Sequence, residues 1–255
     1  GMGTALACAV ISLTMAWRCY FCNPALSLNH REKGAFERNI LQKALKIGTP
    51  VAVQEIAMSG AQVASTMIIA PLGAFAIAAH SFAITAESFC YMPGYGIGSA
   101  ATTLVGRSIG AKKDTLARRY GVICTVMGAV FMGLTGLFMM FLCPYVFRIL
   151  TPDPNVRQLA ARVLRIGLLA EPLYGISIVA AGALRGTGDT FVPSLMNLGS
   201  IWIVRIGLAT LLVGPLGLQG VWIAMATELC VRGLLMLYRH KTTPYYKKTP
   251  TAGPL

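Results

Sequence analysis

Long apolar runs separated by short polar segments dominate the chain. The first covers residues 3–21, and six more follow at 47–70, 74–104, 120–146, 159–184, 191–213 and 219–238. A hydrocarbon core of roughly 30 Å takes about 20 helical residues, so each run is long enough to cross it with some tilt or interruption. The chain thus opens inside a helix and continues through six full spans. Two connections are short and rich in turn formers: Pro71-Leu72-Gly73 and Gly214-Pro215-Leu216-Gly217. Turns this tight make the flanking spans antiparallel neighbours. The stretch TPDPN at 151–155 joins the fourth and fifth spans. The longest connection, before residue 47, spaces Phe36, Ile40, Leu41, Ala44 and Leu45 as one face of a helix, with Arg38, Gln42, Lys43 and Lys46 on the others. That pattern fits an interfacial amphipathic helix, or a plain lead-in to the next span.

Composition agrees. The chain has 255 residues, 55% of them hydrophobic and only 12% charged, where soluble domains carry about 25% charge. The expected fold class is an all-α polytopic membrane protein. The net charge of +13 is not a nucleic-acid footprint, because the basic residues collect in alternate connections. Arg31, Lys33, Arg38, Lys43 and Lys46 precede the second span. Arg107, Lys112, Lys113, Arg118 and Arg119 lie between the third and fourth. Arg185 follows the fifth, and Arg239, Lys241, Lys247 and Lys248 follow the last. The opposite side has Arg148 and Arg157, with Arg162 just inside the fifth span. The positive-inside rule puts the richer side, and with it the C-terminus, in the cytoplasm of a multi-pass plasma (inner) membrane protein. Cys8, Cys90, Cys124 and Cys230 lie in apolar helix, and Cys19 and Cys22 form a single CxxC beside His30, without the second ligand pair a zinc site needs. No cleavable signal is visible.

Candidate chemistry rests on acids. Of nine acidic residues, Glu55, Glu87, Glu171 and Glu228 sit inside apolar runs. A carboxylate at membrane depth is costly and marks an ion or substrate path, unless it serves only to hold two helices together. Glu171 precedes Pro172, which cannot donate to the carbonyl of Leu168; the freed carbonyl beside a carboxylate is a plausible nest for Na⁺ or a proton. Glu87 precedes Pro93-Gly94, where the run GYGIG at 94–98 is expected to loosen the third span. Glu55 follows Pro50 and is flanked by Gln54. Glu228 stands four residues before Arg232, a spacing suited to a structural ion pair within one helix. Arg205 has no acid three or four residues away, so it finds an acid or carbonyls on another helix, or snorkels. Gly106 and Gly110 form a GxxxG, read as close helix packing or a helix end. GYGIGSAA lacks the GxGxxG spacing, and no HExxH, GxSxG or P-loop is present. An enzyme is therefore not expected, and no cofactor is called for beyond a coupling ion.

Several longer motifs resemble the multidrug and toxic-compound extrusion (MATE) family. SAATTLVGRSIGAKKDTLARR at 99–119 resembles the segment after that family's eighth helix. AEPLYGISIVAAGALRGTGDTFVPS at 170–194 resembles its tenth helix and following turn, and SIWIVRIGLATLL and GLQGVWIAMATELCVRG resemble its eleventh and twelfth. ESFCYMPGYGIGSAA carries the Glu-then-Met-Pro pattern of its eighth. The resemblance implies half of a twelve-helix, two-lobe transporter: 1–22 as the end of the N-terminal lobe, 23–46 as a cytoplasmic linker, 47–238 as the six-helix C-terminal lobe, and 239–255 as a basic tail. It implies a secondary active antiporter that exports cationic or amphipathic drugs and toxic compounds in exchange for Na⁺ or H⁺. The partners implied are a small amphipathic substrate, membrane lipid and the missing N-terminal lobe, with no nucleic acid. By the family pattern, the seventh-helix acid falls at Met58 and the tenth-helix acid at Tyr174. Glu55 and Glu171 each stand one turn earlier, on nearly the same helix faces. Glu55, Glu87 and Glu171 are the expected coupling-ion or substrate contacts, with Gln54, Tyr174 and Arg205 as secondary candidates. The alternatives are a lipid-linked oligosaccharide flippase of the same superfamily and a non-transporting membrane scaffold.

Overall fold

The computed structural model describes residues 2–18, 21 and 38–243. The expected CxxC at Cys19 and Cys22, His30, most of the linker 23–46 and the tail beyond Thr243 lie outside the described residues, as do the side chains of Ile40, Lys43, Ala44 and Lys46. Every described element is helical. Two compact units are separated, residues 1–43 and residues 44–255. The first holds α1 (Met2–Trp17) and the start of α2 (Arg38–Ile69).

The second unit is a six-rod lobe. After α2 come α3 (Ala74–Gly110), α4 (Asp114–Leu150), α5 (Pro154–Leu168), α6 (Glu171–Gly186), α7 (Phe191–Gly199), α8 (Gly207–Leu216) and α9 (Leu218–Thr242). α5 and α6 form one broken rod bent by 55°. α7 and α8 form another, joined without a turn by a π-helical segment at Ser200–Ile206. By length and apolarity α4, the α7–α8 rod and α9 qualify as membrane spans, and the bent pair makes a fourth. α2 and α3 are long enough, at 32 and 37 residues, but carry polar positions through their middles, Gln54, Glu55 and Gln62 on α2 and His80 and Glu87 on α3.

Local chemistry explains where the helices stop. Gly73 ends the turn after α2 at φ 92° and Gly217 ends α8 at φ 57°, conformations a Cβ resists. Asp153 caps α5: its Oδ1 accepts from the backbone N–H of Asn155 at 2.8 Å, and Pro154 supplies the preset φ of a first turn. The expected loosening at 94–98 does not occur, and α3 runs unbroken through Pro93. Those glycines serve packing instead. A Cβ on Gly94 would strike the Met132 side chain, and one on Gly98 would lie 3.3 Å from the carbonyl oxygen of Ile178. Gly106 packs against Gly186 and Gly110 is the last residue of α3, so the GxxxG takes both of its expected roles at once.

α6 is the central rod, packed against α3, α4 and α9. Its approach to α3 is close enough for the Thr102 hydroxyl to donate across to the Gly182 carbonyl at 2.8 Å. Toward α4, a Cβ on Gly175 would sit 2.7 Å from the carbonyl oxygen of Gly128. Backbone on both sides cannot yield as a side chain can. Near the basic end, Arg239 of α9 grips Asp189 in the turn after α6, with Nε at 2.9 Å and Nη2 at 2.6 Å from one carboxylate oxygen. Such a charge-assisted fork ties the α6–α7 turn to the end of the last helix. The Gly175 contact is checkable. Gly175→Val should destabilise the protein by about 1–3 kcal/mol, as overpacking does, and lower its melting temperature in detergent. Gly60→Ala, whose Cβ would meet only Trp202 at 3.6 Å, should leave it unchanged.

Candidate functional site

Glu171 opens α6. Pro172 offers no N–H to Leu168, and here, unlike at Pro93 in α3, the helix does break: α5 ends at Leu168. A Glu-Pro pair then suits the first turn of a new helix, with the acid at the positive end of its dipole. The Glu171 side chain is 1% exposed. It lies on α4 at Gly136, whose added Cβ would stand 3.1 Å from the Glu171 Cβ and Cγ. Neither carboxylate oxygen has a hydrogen-bond partner. Glu171 is electrostatically coupled to Glu87 of α3, and Cys90 and Tyr91 feel both carboxyls.

Glu87 is 5% exposed and faces a cavity of about 130 Å³ with Gln62, Tyr91, Tyr95, Tyr174, Arg205 and Arg232. Its Oε1 is buried without a hydrogen-bond partner, 3.1 Å from where a Cβ on Gly167 would stand. Gly167 thus keeps room for the carboxyl, and for the Trp222 ring on its other flank. Trp222 is itself held by its Nε1–H donating to His80 Nδ1 at 3.2 Å. Across the cavity stands Arg205, carried by the π-helical segment. Its Nη2 reaches the neutral Gln62 Oε1 at 3.4 Å and Met225 Sδ at 3.2 Å, and its buried Nε has no partner. Of the options left open by the sequence, Arg205 thus makes neutral contacts on two other helices. Its longer-range couplings include Glu228 and Glu87.

Glu228 and Arg232 meet as expected, Arg232 Nε standing 3.1 Å from Glu228 Oε1. The contact is ionic rather than a well-aligned hydrogen bond, since the same Nε lacks hydrogen-bond geometry to any acceptor. Glu228 Oε1 also accepts the Ser200 hydroxyl at 3.0 Å. Arg232 spreads its charge further, with Cζ 5.2 Å over the Tyr174 ring. Tyr174 in turn stacks edge-on with Tyr91 at 5.9 Å, and its hydroxyl is 3.5 Å from that of Tyr95.

A larger cavity of about 420 Å³ adjoins the first. Gln54, Glu55, Ser99, Ser177, Arg185 and Asn197 line it, and Met58, Tyr95, Tyr174 and Arg232 line both. The structure therefore divides the three expected acids. Glu55 is exposed in the larger cavity, Glu87 is buried in the smaller, and Glu171 is buried and lines neither. Glu171 couples to Glu87, not to Glu55 of the family-like pair. Gln54, Tyr174 and Arg205 all line these cavities. Sequence reasoning missed the tyrosine cluster of Tyr91 and Tyr95 with Tyr174, the buried Asn197 and the Ser200 hydroxyl. The i,i+4 spacing of Tyr91 and Tyr95 was a usable signal for the first.

The family model described as MatE matches residues 50–211. The chain belongs to the MATE family. A curated relative, "Probable multidrug resistance protein NorM" of Thermotoga maritima, is 34% identical over 202 residues, covering 77% of this chain and 43% of the relative. Among solved structures, a MATE in complex with MaL6 superposes with a TM-score of 0.85 at 19% identity, over 96% of this chain and 56% of that one. The Vibrio cholerae MATE transporter VcmN in its bent form gives 0.79 at 16%, over 95% and 53%. This MATE chain thus spans about half the length of the curated relatives it matches. It has the fold of half a two-lobe MATE transporter and is a multi-pass membrane protein.

The buried ion pair generates a double-variant test. Glu228→Leu leaves Arg232 uncompensated and should cost about 3–5 kcal/mol, read as a fall in thermal stability in detergent. Adding Arg232→Met should recover most of that loss; an unchanged deficit would deny the pair its structural role.

Proposed function

We propose that this chain is the C-terminal lobe of a secondary active exporter. It moves cationic or amphipathic drugs and toxic compounds outward in exchange for Na⁺ or H⁺, and its N- and C-terminal lobes together enclose the transport cleft. The observation that carries the reading is a pair of buried carboxyls, Glu87 and Glu171, three of whose four oxygens are buried without a hydrogen-bond partner. Two such groups at membrane depth repel each other unless a proton or a metal cation is held between or upon them. Three buried carboxyls, Glu87, Glu171 and Glu228, stand against the guanidiniums of buried Arg232 and half-buried Arg205. One monovalent cation balances the set. A cation that binds one of the inward- and outward-facing states more tightly biases their exchange. Glu55, in the larger cavity beside Tyr95 and Tyr174, faces the substrate, where aromatic rings and a carboxylate suit an amphipathic cation.

Orientation follows the charge pattern. The α3–α4 turn, the Asp189 turn and the end of α9 share the basic side, which we place in the cytoplasm together with the C-terminus. A lipid-linked oligosaccharide flippase is the second reading. It is favoured by Arg185, Arg205 and Arg232, which line the two cavities.

The test uses the full-length transporter in proteoliposomes under an imposed Na⁺ or H⁺ gradient. Glu87→Gln and Glu171→Gln should each reduce gradient-driven movement of a fluorescent cationic drug to the level of empty vesicles, with expression and folding intact. Glu55→Gln should weaken drug binding while cation binding persists. Full transport by both buried-acid variants overturns the coupling site. Transport that ignores either gradient and any cationic drug favours the flippase.

A further inference from the structure

At the cytoplasmic foot of α3 and α4 lies a separate pocket of about 290 Å³, which shares no lining residue with the two cavities described above. It is lined by Leu104, Arg107 and Ser108 from the end of α3, Lys113 from the turn, and Leu116 and Tyr120 from the start of α4. Its two formal charges are both positive, and both Arg107 and Lys113 are exposed. Lys112, Arg118 and Arg119 lie close to it in sequence, against a single acid, Asp114, in the stretch 99–119. The rest of its lining includes apolar Leu104, Ala111 and Leu116 and the ring of Tyr120.

What lies along the membrane-facing side of the pocket fixes the class of ligand. From Leu116 and Tyr120, steps of three and four residues along α4 lead to Ile123, Met127, Val130 and Leu134, which are one continuous face. These four are 53%, 56%, 56% and 60% exposed. The α4 helix is the most apolar span of the lobe. A bare apolar stripe rising from a basic pocket at the interface has the shape of a lipid: headgroup below, acyl chain above. A soluble phosphate would use the charges and leave the stripe idle.

We propose that this pocket is a binding site for an anionic phospholipid of the cytoplasmic leaflet. Arg107 and Lys113 hold its phosphate, Tyr120 offers its hydroxyl to the headgroup, and an acyl chain lies on the Ile123–Leu134 stripe of α4; the Ser108 hydroxyl is committed to the Leu104 carbonyl at 2.8 Å and only shapes the pocket. Basic pockets between helices on the cytoplasmic side select such headgroups by charge. The placement in the cytoplasmic leaflet rests on the orientation proposed above; the lipid's charge class does not, so a site of the right chemistry on the opposite face would refute only the orientation.

The experiment is native mass spectrometry of the full-length transporter in detergent, titrated with phosphatidylglycerol, phosphatidylcholine or inorganic phosphate. Wild type should bind phosphatidylglycerol at one site well ahead of phosphatidylcholine. The double variant Arg107→Gln/Lys113→Gln should weaken that binding roughly 10- to 30-fold, as the loss of two interfacial cations implies. Lys241→Gln, a basic residue at the same membrane face on α9, should leave it unchanged. Met127→Asn should weaken phosphatidylglycerol but not inorganic phosphate. Equal binding of both lipids overturns the proposal, as does an equal loss in Lys241→Gln, which would mean diffuse charge. Displacement of phosphatidylglycerol by millimolar inorganic phosphate would reassign the pocket to a soluble anion. Melting temperatures equal to wild type show that each variant is folded.

Discussion

Charge held away from water sets the terms for the rest of this lobe. Three carboxyls and two guanidiniums lie among α3, α6, α9 and the π-helical segment, in a body otherwise built from Ala, Gly, Leu, Ile, Val and Met. At membrane depth each of these groups costs several kcal/mol unless partnered. The partners they find are graded. Glu228 has both Arg232 and Ser200. Arg205 has only an amide oxygen and a thioether, and Glu171 has nothing within hydrogen-bond reach. A scaffold selected for stability alone would replace the last of these with apolar residues, since well-packed apolar substitutes for buried ions are neutral or better. Their presence near one cavity supports the site proposed for this lobe.

The packing follows from the need to bring those groups together. α6 reaches the centre because glycines on three neighbours and on itself let backbone approach backbone. Gly175 faces Gly128 of α4, Gly182 and Gly186 face α3, and Gly233 of α9 faces the Leu173 carbonyl. Small residues at helix crossings are the usual means of association in lipid, where apolar burial between helices gains little. Here they have a second consequence. They bring Glu171 close enough to Glu87 for their charges to interact, and Tyr174 into the group formed by Tyr91 and Tyr95.

Much of the lobe could be read from one sequence because its signals are local. The Glu228–Arg232 pair is an i,i+4 spacing within one helix. The α5–α6 break is a proline that cannot donate, and the turns at Gly73 and Gly217 are short Gly-Pro punctuation. What stayed hidden depends on register between helices. Nothing in the residues around Glu171 says that it faces Glu87 rather than Glu55. The glycines at 94–98 look like helix breakers in isolation, yet serve as contact surfaces once Met132 and Ile178 are in place. The π-helical segment at 200–206 has no compositional mark either. An extra residue within one turn is a choice of hydrogen-bond partner that many sequences tolerate.

Two backbone irregularities among the described residues of the lobe each carry a charged group of this cluster. Glu171 sits at the 55° break, and Arg205 sits in the π-helical segment. Irregular backbone at membrane depth survives only where it is buried in protein or lines a polar cavity, so each irregularity needs the site as much as the site needs it. Break points are also where a rod can change direction with little repacking elsewhere. A change in the α5–α6 angle would carry Glu171 toward or away from Glu87, which rides on the unbroken α3. The repulsion between two carboxyls rises steeply as they approach in a dry site, and so does the affinity of the pair for a single cation. On the exchange proposed above, helix geometry and cation affinity would be two readings of one coordinate, which is the physical requirement for an ion gradient to drive a conformational cycle.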